Sequence, residues 1–182
     1  DIDLVCYIED FKSVTEFFIE SNYPIDDLIS GLFSNFVCFN IPETNLTLDV
    51  TGLVRQGANT ITGFLSKSGS SEWSFIQKFN KIEFDLIDDF EDNRKYWWPK
   101  NSIILLESMY GVDWLKPDKD WKPFIMDRTA LKTGLHKFLC LDLIIGNWEN
   151  GKLDYAKKSA ELLCEIYPGD ASAALANSCL NS

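Results

Sequence analysis

The chain has 182 residues, a formal charge of −11, a hydrophobic fraction of 46%, and thirteen Phe, six Trp and six Tyr. This length suits one domain, or one domain with an appendage, and the aromatic content is enough for a sizeable core. The acidity argues against general nucleic-acid binding, because phosphate contacts need Lys and Arg. A phosphorylated ligand is still allowed if a divalent cation bridges it to carboxylates. No run of eighteen apolar residues and no signal peptide are visible, so the expectation is a cytoplasmic protein with no membrane span. Five cysteines without a CxxC, and the single His136, give no zinc cluster and no histidine metal site; reduced, mostly buried thiols and a partly buried helical histidine are expected. Composition carries no signal for oligomeric state.

In chain order, residues 1–8 (Asp1-Ile-Asp-Leu-Val-Cys-Tyr-Ile8) read as a buried strand. Residues 9–21 read as a helix, with Phe11, Val14, Phe17 and Phe18 at near-helical spacing and Pro24 beyond it. Residues 28–88 look mostly β, with candidate strands at 32–41, 46–54, 60–65 and 82–87, broken by Pro42, Gly57-Ala-Asn59 and Ser68-Gly-Ser-Ser71. The acidic run 85–92 reads as a solvated turn. From Pro99 the period changes. Helices are expected at 101–110, with Gly111 at its left-handed C′ position, at 128–145 and at 152–167, and Asp170 is placed to cap a last helix running through Cys179. The third of these carries the stripe Leu153, Ala156, Ala160, Leu163 and Tyr167. The alanine-rich end is expected to pack on the core. The fold class is therefore α/β (α+β): a mixed or largely antiparallel sheet flanked by helices, with a C-terminal helical segment.

Chemistry concentrates in the acids. Asp1 and Asp3 stand two apart on one strand, so period two puts both on one face. Asp49 sits inside a second apolar strand, Leu-Thr-Leu-Asp-Val. If the two strands are neighbours, three carboxylates converge on a site for Mg²⁺ or Mn²⁺. The plainer alternative leaves Asp1 solvated at the chain end and the others at a sheet rim. For positive charge against phosphate, the candidates are Arg55, six residues after Asp49, and Lys67, in the Ser/Gly-rich loop 65–71, which lacks Walker A spacing. Tyr96-Trp-Trp98 and the stretch Trp114–Trp121 are aromatic surfaces for a base or a sugar ring, with Lys116, Lys119 and Lys122 interleaved among the latter and diluted by Asp118 and Asp120.

Two stretches resemble the LicD/fukutin phosphotransferase family, which belongs to the nucleotidyltransferase-like folds. Asp1-Ile-Asp3-Leu is similar to the end of its D-x-D-x-D-[LIV] strand. The order strand, Pro, helix, Tyr-Gly, Trp, Pro, Trp is similar in residues 82–121, from Ile82-Glu-Phe-Asp-Leu-Ile87 through Pro99, Tyr110-Gly111 and Trp114 to Pro117 and Trp121. The resemblance covers residues 1–125, taken as a catalytic core, with 126–182 as a helical segment packed on it. It implies a cation-binding enzyme that moves a group such as phosphocholine or ribitol or glycerol phosphate from a CDP-linked donor to a glycan hydroxyl. Asp1, Asp3 and Asp49 would be its metal and catalytic acids, and Arg55 and Lys67 would face the donor. The family's first acid is expected two residues before Asp1, and a eukaryotic relative would sit in the Golgi lumen. The competing reading is an acidic binder, such as a toxin-neutralising immunity protein, covering a basic partner without metal. The relation between Asp3 and Asp49 separates the two: same site for the enzyme, opposite faces for the binder.

Overall fold

The computed structural model describes residues 2–26, 30–89, 94–116 and 118–181. In chain order the elements are β1 (Ile2–Tyr7), α1 (Ile8–Glu20), β2 (Phe36–Asn40), β3 (Thr47–Gln56), β4 (Asn59–Phe64), β5 (Phe75–Asn80), β6 (Phe84–Asp89), β7 (Arg94–Pro99), α2 (Ser102–Tyr110), α3 (Gly134–Glu149), α4 (Leu153–Ile166) and α5 (Ala171–Asn181). The class is mixed α/β, as expected: a mixed five-stranded sheet and a separate β6–β7 hairpin, flanked by helices.

β3 organises the sheet. Its first half pairs in parallel with β1 on one edge and antiparallel with β2 on the other. Its last residues leave β2 and take β4, which pairs on to β5. At that exchange sits Asn35, fully buried, whose Nδ2 donates to Gly52 O at 2.9 Å and Gly63 O at 3.0 Å while its Oδ1 accepts from Leu65 N at 2.9 Å. Side chains alternate across β3. Leu48 and Val50 join Phe39 under α1, packed by Phe11, Val14 and Phe18. Leu53, on the other face, joins Phe79 and Ile82 under Leu105 and Met109 of α2. Gly52 permits the close approach of α1: a Cβ there would meet Ile8 Cδ1 at 2.8 Å.

Sequence reading misses two strands and shifts one helix. β5 escapes because its periodicity is broken: Phe75 and Phe79 share a face with Gln77, whose Nε2 donates to Asp127 Oδ2 at 2.6 Å. β7 is a run of aromatics and bases with no alternation, and it pairs with β6 along the register Phe84↔Pro99 to Asp89↔Arg94. Asp85–Asp89 is therefore strand rather than turn; residues 90–93 lie outside the described residues. The helix expected from 128 starts at Gly134. Residues 129–131 run along β5 instead, with Lys78 N donating to Thr129 O at 2.9 Å and Leu131 N to Ile76 O at 2.7 Å. Thr133 then caps α3: its Oγ1 accepts from His136 N at 3.1 Å and donates to Ser74 O at 2.6 Å. Gly111 does close α2 with positive φ (94°), but its ψ of 176° is extended rather than left-handed helical.

The three C-terminal helices enclose a cluster of Cys140, Ile144, Ala156, Ala160, Leu163 and Ala173, to which Ile125, Phe124 and Met126 also belong. A division at residue 125 thus passes through one packed cluster. Asp170 caps α5, accepting from Ser172 N and Ala173 N at 2.9 and 3.1 Å. Cys38 and Cys140 are buried, Cys6 and Cys164 half-buried and Cys179 exposed. Among the described residues no helix is long and apolar enough to cross a membrane.

Candidate functional site

β1 and β3 are hydrogen-bonded in parallel with Asp3 opposite Asp49. Partners in a parallel ladder present the same face, and neighbouring strands lie about 4.8 Å apart. The two carboxylates therefore rise from adjacent strands on one side of the sheet, the side away from α1 and shared with Tyr7 and Leu53. Cys38 joins them from β2, opposite Asp49 on the other edge. Asp1 lies outside the described residues.

Asp3 is exposed, whereas Asp49 is half-buried, and Asp49 Oδ1 is shielded from solvent without accepting a hydrogen bond. A bare carboxylate oxygen in that position is costly unless a cation or donor meets it. Burial, then a hydrogen bond from the thiol to the Asp49 carboxylate and that carboxylate's charge, push the Cys38 thiol up to about 12. Cys38 is therefore a neutral neighbour of Asp49 and not a thiolate nucleophile. Among the described residues no three His, Cys, Asp or Glu side chains form a metal-binding group. Two carboxylates still suit Mg²⁺, which commonly takes one or two from protein and the rest of its oxygens from water and phosphate.

Asp3 also lines a cavity of about 1440 Å³ that runs along the outer edge of β1 toward the β6–β7 hairpin and α2. Its walls are largely apolar, from Val5, Tyr7, Phe84, Trp97, Trp98 and Leu105. Its cations are Arg55 and Lys81, its acids Asp3, Asp10, Glu83 and Asp85. Arg55 is held in place: its guanidinium carbon lies 3.5 Å from the Tyr7 ring centroid and Nη1 is 3.0 Å from Glu9 Oε1. Tyr7 is anchored in turn, its hydroxyl donating to Ile82 O at 2.8 Å and its ring set edge-on to Phe84 at 5.5 Å. Lys81 Nζ lies 2.7 Å from Glu83 Oε1, which raises the lysine and lowers the glutamate from their ordinary ranges.

The site thus gathers Asp3 and Arg55 on one cavity, with Asp49 on the strand beside Asp3. It does not gather Lys67. That residue is exposed in the loop beyond Phe64 and Phe75, the end of the β4–β5 hairpin opposite Arg55, Thr60 and Phe79. Lys81 occupies the place for a second cation, and sequence reading missed it because the strand before it, β5, went unread. Tyr7 was also missed; its offset of four from Asp3 on one strand, with an arginine six residues after Asp49, is the available signal. Comparison with family models, curated proteins and solved structures returns no match for this chain.

Proposed function

We propose that this chain is the cation-binding part of a phosphotransferase of the LicD/fukutin type, moving a phosphate-linked group from a CDP-activated donor to a glycan hydroxyl. The observation that carries the reading is the in-register pairing of Asp3 with Asp49, with one Asp49 oxygen buried and only the weak Cys38 thiol as a donor beside that carboxylate among the described residues. The acidic-binder alternative calls for these acids on opposite faces, and the register favours the enzyme.

In this reading Asp3 and Asp49 hold Mg²⁺ or Mn²⁺, and Asp1, the acid before Asp3 in the strand motif, adds a third carboxylate. The cation would supply positive charge against the donor's phosphate oxygens. Arg55 and Lys81 face the same phosphates from the cavity wall and offset the charge that grows on them during transfer. Trp97 and Trp98 present ring surface, 66% and 50% exposed, for the base or the sugar. Asp3, solvent-accessible, is the group placed to take the proton of the acceptor hydroxyl as its oxygen bonds to phosphorus and CMP leaves.

The test is a thermal-shift titration with Mn²⁺ or Mg²⁺ in the presence of CDP, on wild type and on Asp3→Asn and Asp49→Asn. A rise in Tm that needs both metal and CDP, and that disappears in either variant, is the expected result. An unchanged Tm in wild type, or equal shifts in all three proteins, would overturn the proposal.

A further inference from the structure

A second cavity, of about 430 Å³, lies where the loop following Lys119 meets the start of α4, and it shares no residue with the first. Three lysines line it, Lys122, Lys152 and Lys158, together with Tyr155, Asp120 and Asp154. In a chain of charge −11 such a gathering is against the average. Lys152 and Lys158 are exposed, but Lys122 is only 1% exposed.

Lys122 is the unusual member. Its Nζ donates to Asp120 O at 2.7 Å and stands 4.3 Å from the centroid of the Tyr155 ring, which is itself fixed by its hydroxyl donating to Trp121 O at 3.1 Å. A carbonyl and a π face use part of an ammonium's three-donor capacity and stabilise it electrostatically, but neither brings it a negative charge. Among the described residues no carboxylate forms an ion pair with it; Asp118 and Asp120 act on it only from a distance, and Lys158 opposes them. A buried cation without a counter-ion is costly, and an anion from outside would offset that cost. The neighbouring backbone has the same preference. Gly151 to Tyr155 form the cavity wall, and the 14-residue α4 begins there with Lys152 at the capping position and no side-chain cap, so the positive end of the helix faces the cavity, offset in part by Asp154 in its first turn.

We infer that this cavity binds the phosphate group of a small phosphorylated molecule, with Lys122 at its base, Lys152 and Lys158 at its mouth and the first turn of α4 alongside. The volume lies in the range of small-molecule pockets and leaves room beside the phosphate for a compact organic group. Nothing in this inference depends on Asp3, Asp49 or a metal.

The experiment is an amide NMR titration of the full chain in the presence of a chelator, using inorganic phosphate and then glycerol phosphate, with chloride at matched ionic strength as reference. Saturable shifts at Leu153, Asp154 and Tyr155 are expected with either phosphate, weakened tenfold or more in the double variant Lys152→Gln/Lys158→Gln. A second double variant, Lys12→Gln/Lys78→Gln, removes the same charge from two exposed lysines that do not line the cavity and is expected to bind like wild type. Shifts that merely follow ionic strength, as with chloride, would overturn the inference. So would equal weakening in both variants, or none in the first.

Discussion

A carboxylate oxygen sealed from water with no N–H or O–H to accept from is a liability to the free protein, and among the described residues Asp49 carries one, with only the weak Cys38 thiol as a donor beside the carboxylate. If its purpose is to meet a cation, neutralising it does no harm when metal is absent. Asp49→Asn is therefore expected to be at least as stable as wild type in chelator, by urea denaturation. A structural role would instead cost about 1–3 kcal/mol. His136 makes a second prediction at this scale. It is the chain's single histidine, 2% exposed, with Nδ1 2.6 Å from the Tyr167 hydroxyl and Nε2 3.0 Å from Phe124 O. The Tyr167 hydroxyl has one proton and two acceptors within reach, His136 Nδ1 and Thr133 O at 3.2 Å; given to the nearer, it leaves a neutral ring that accepts at Nδ1 and donates from Nε2. Burial, the largest cause, lowers its pKa from the ordinary 6.5, with Lys132 adding to the shift and Phe124 O and Asp127 opposing it. The folded value is the depressed one, so the contribution to stability is full above pH 6.5 and is lost as pH falls from there through the folded pKa. The slope from one such group is at most about 1.4 kcal/mol per pH unit. Comparing urea midpoints on either side of pH 6.5 checks this: wild type is expected to lose stability on acidification, and His136→Gln to lose less.

At the scale of elements, β3 decides the architecture because it changes partners midway, and Asn35 closes the gap between β2 and β4. Its side chain satisfies three backbone groups at 0% exposure. Asn35→Leu keeps the volume and strands all three, so a loss of roughly 2–4 kcal/mol is expected in chemical denaturation. A loss below about 1 kcal/mol would mean that the strand exchange does not depend on this residue. α4 was the most legible helix. Its stripe matches the structure at Ala156, Ala160 and Leu163, all fully buried, and fails at Leu153, which is 48% exposed at the helix start. Strong 3.6-residue periodicity, small residues toward neighbouring helices and a Pro-Gly stop make such an element readable. β5 was not, because Gln77 on its inner face is satisfied by Asp127, fifty residues away.

Across the whole molecule the charge of −11 is spread over a surface whose ion pairs, among the described residues, are mostly exposed, such as Lys12–Glu16 and Lys116–Asp113 at 3.6 and 3.4 Å. Exposed pairs contribute little, whereas like-charge repulsion acts over the full surface. Raising salt from about 10 mM to about 150 mM shortens the screening length from about 30 Å to about 8 Å. The expected consequence, read by thermal unfolding in NaCl, is a stability gain of roughly 1 kcal/mol, or about 2–4 °C in Tm. A fall in Tm over that range would show the exposed ion pairs outweighing the repulsion.

Sequence alone determined what depends on neighbours along the chain: the mixed α/β class, most strands and helices, the Asp170 cap and the presence of one acid in each of two apolar strands. Tertiary structure alone decided that those strands are adjacent, parallel and in register, which sets Asp3 beside Asp49. It likewise brought Lys81 to Arg55 rather than Lys67, and sank Lys122 beneath Tyr155. The physical reason is that a period of two specifies a face but not a partner. A strand's register is set by backbone hydrogen bonds and burial summed over the whole sheet, and a one-residue slip of β1 would have turned Asp3 to the face under α1.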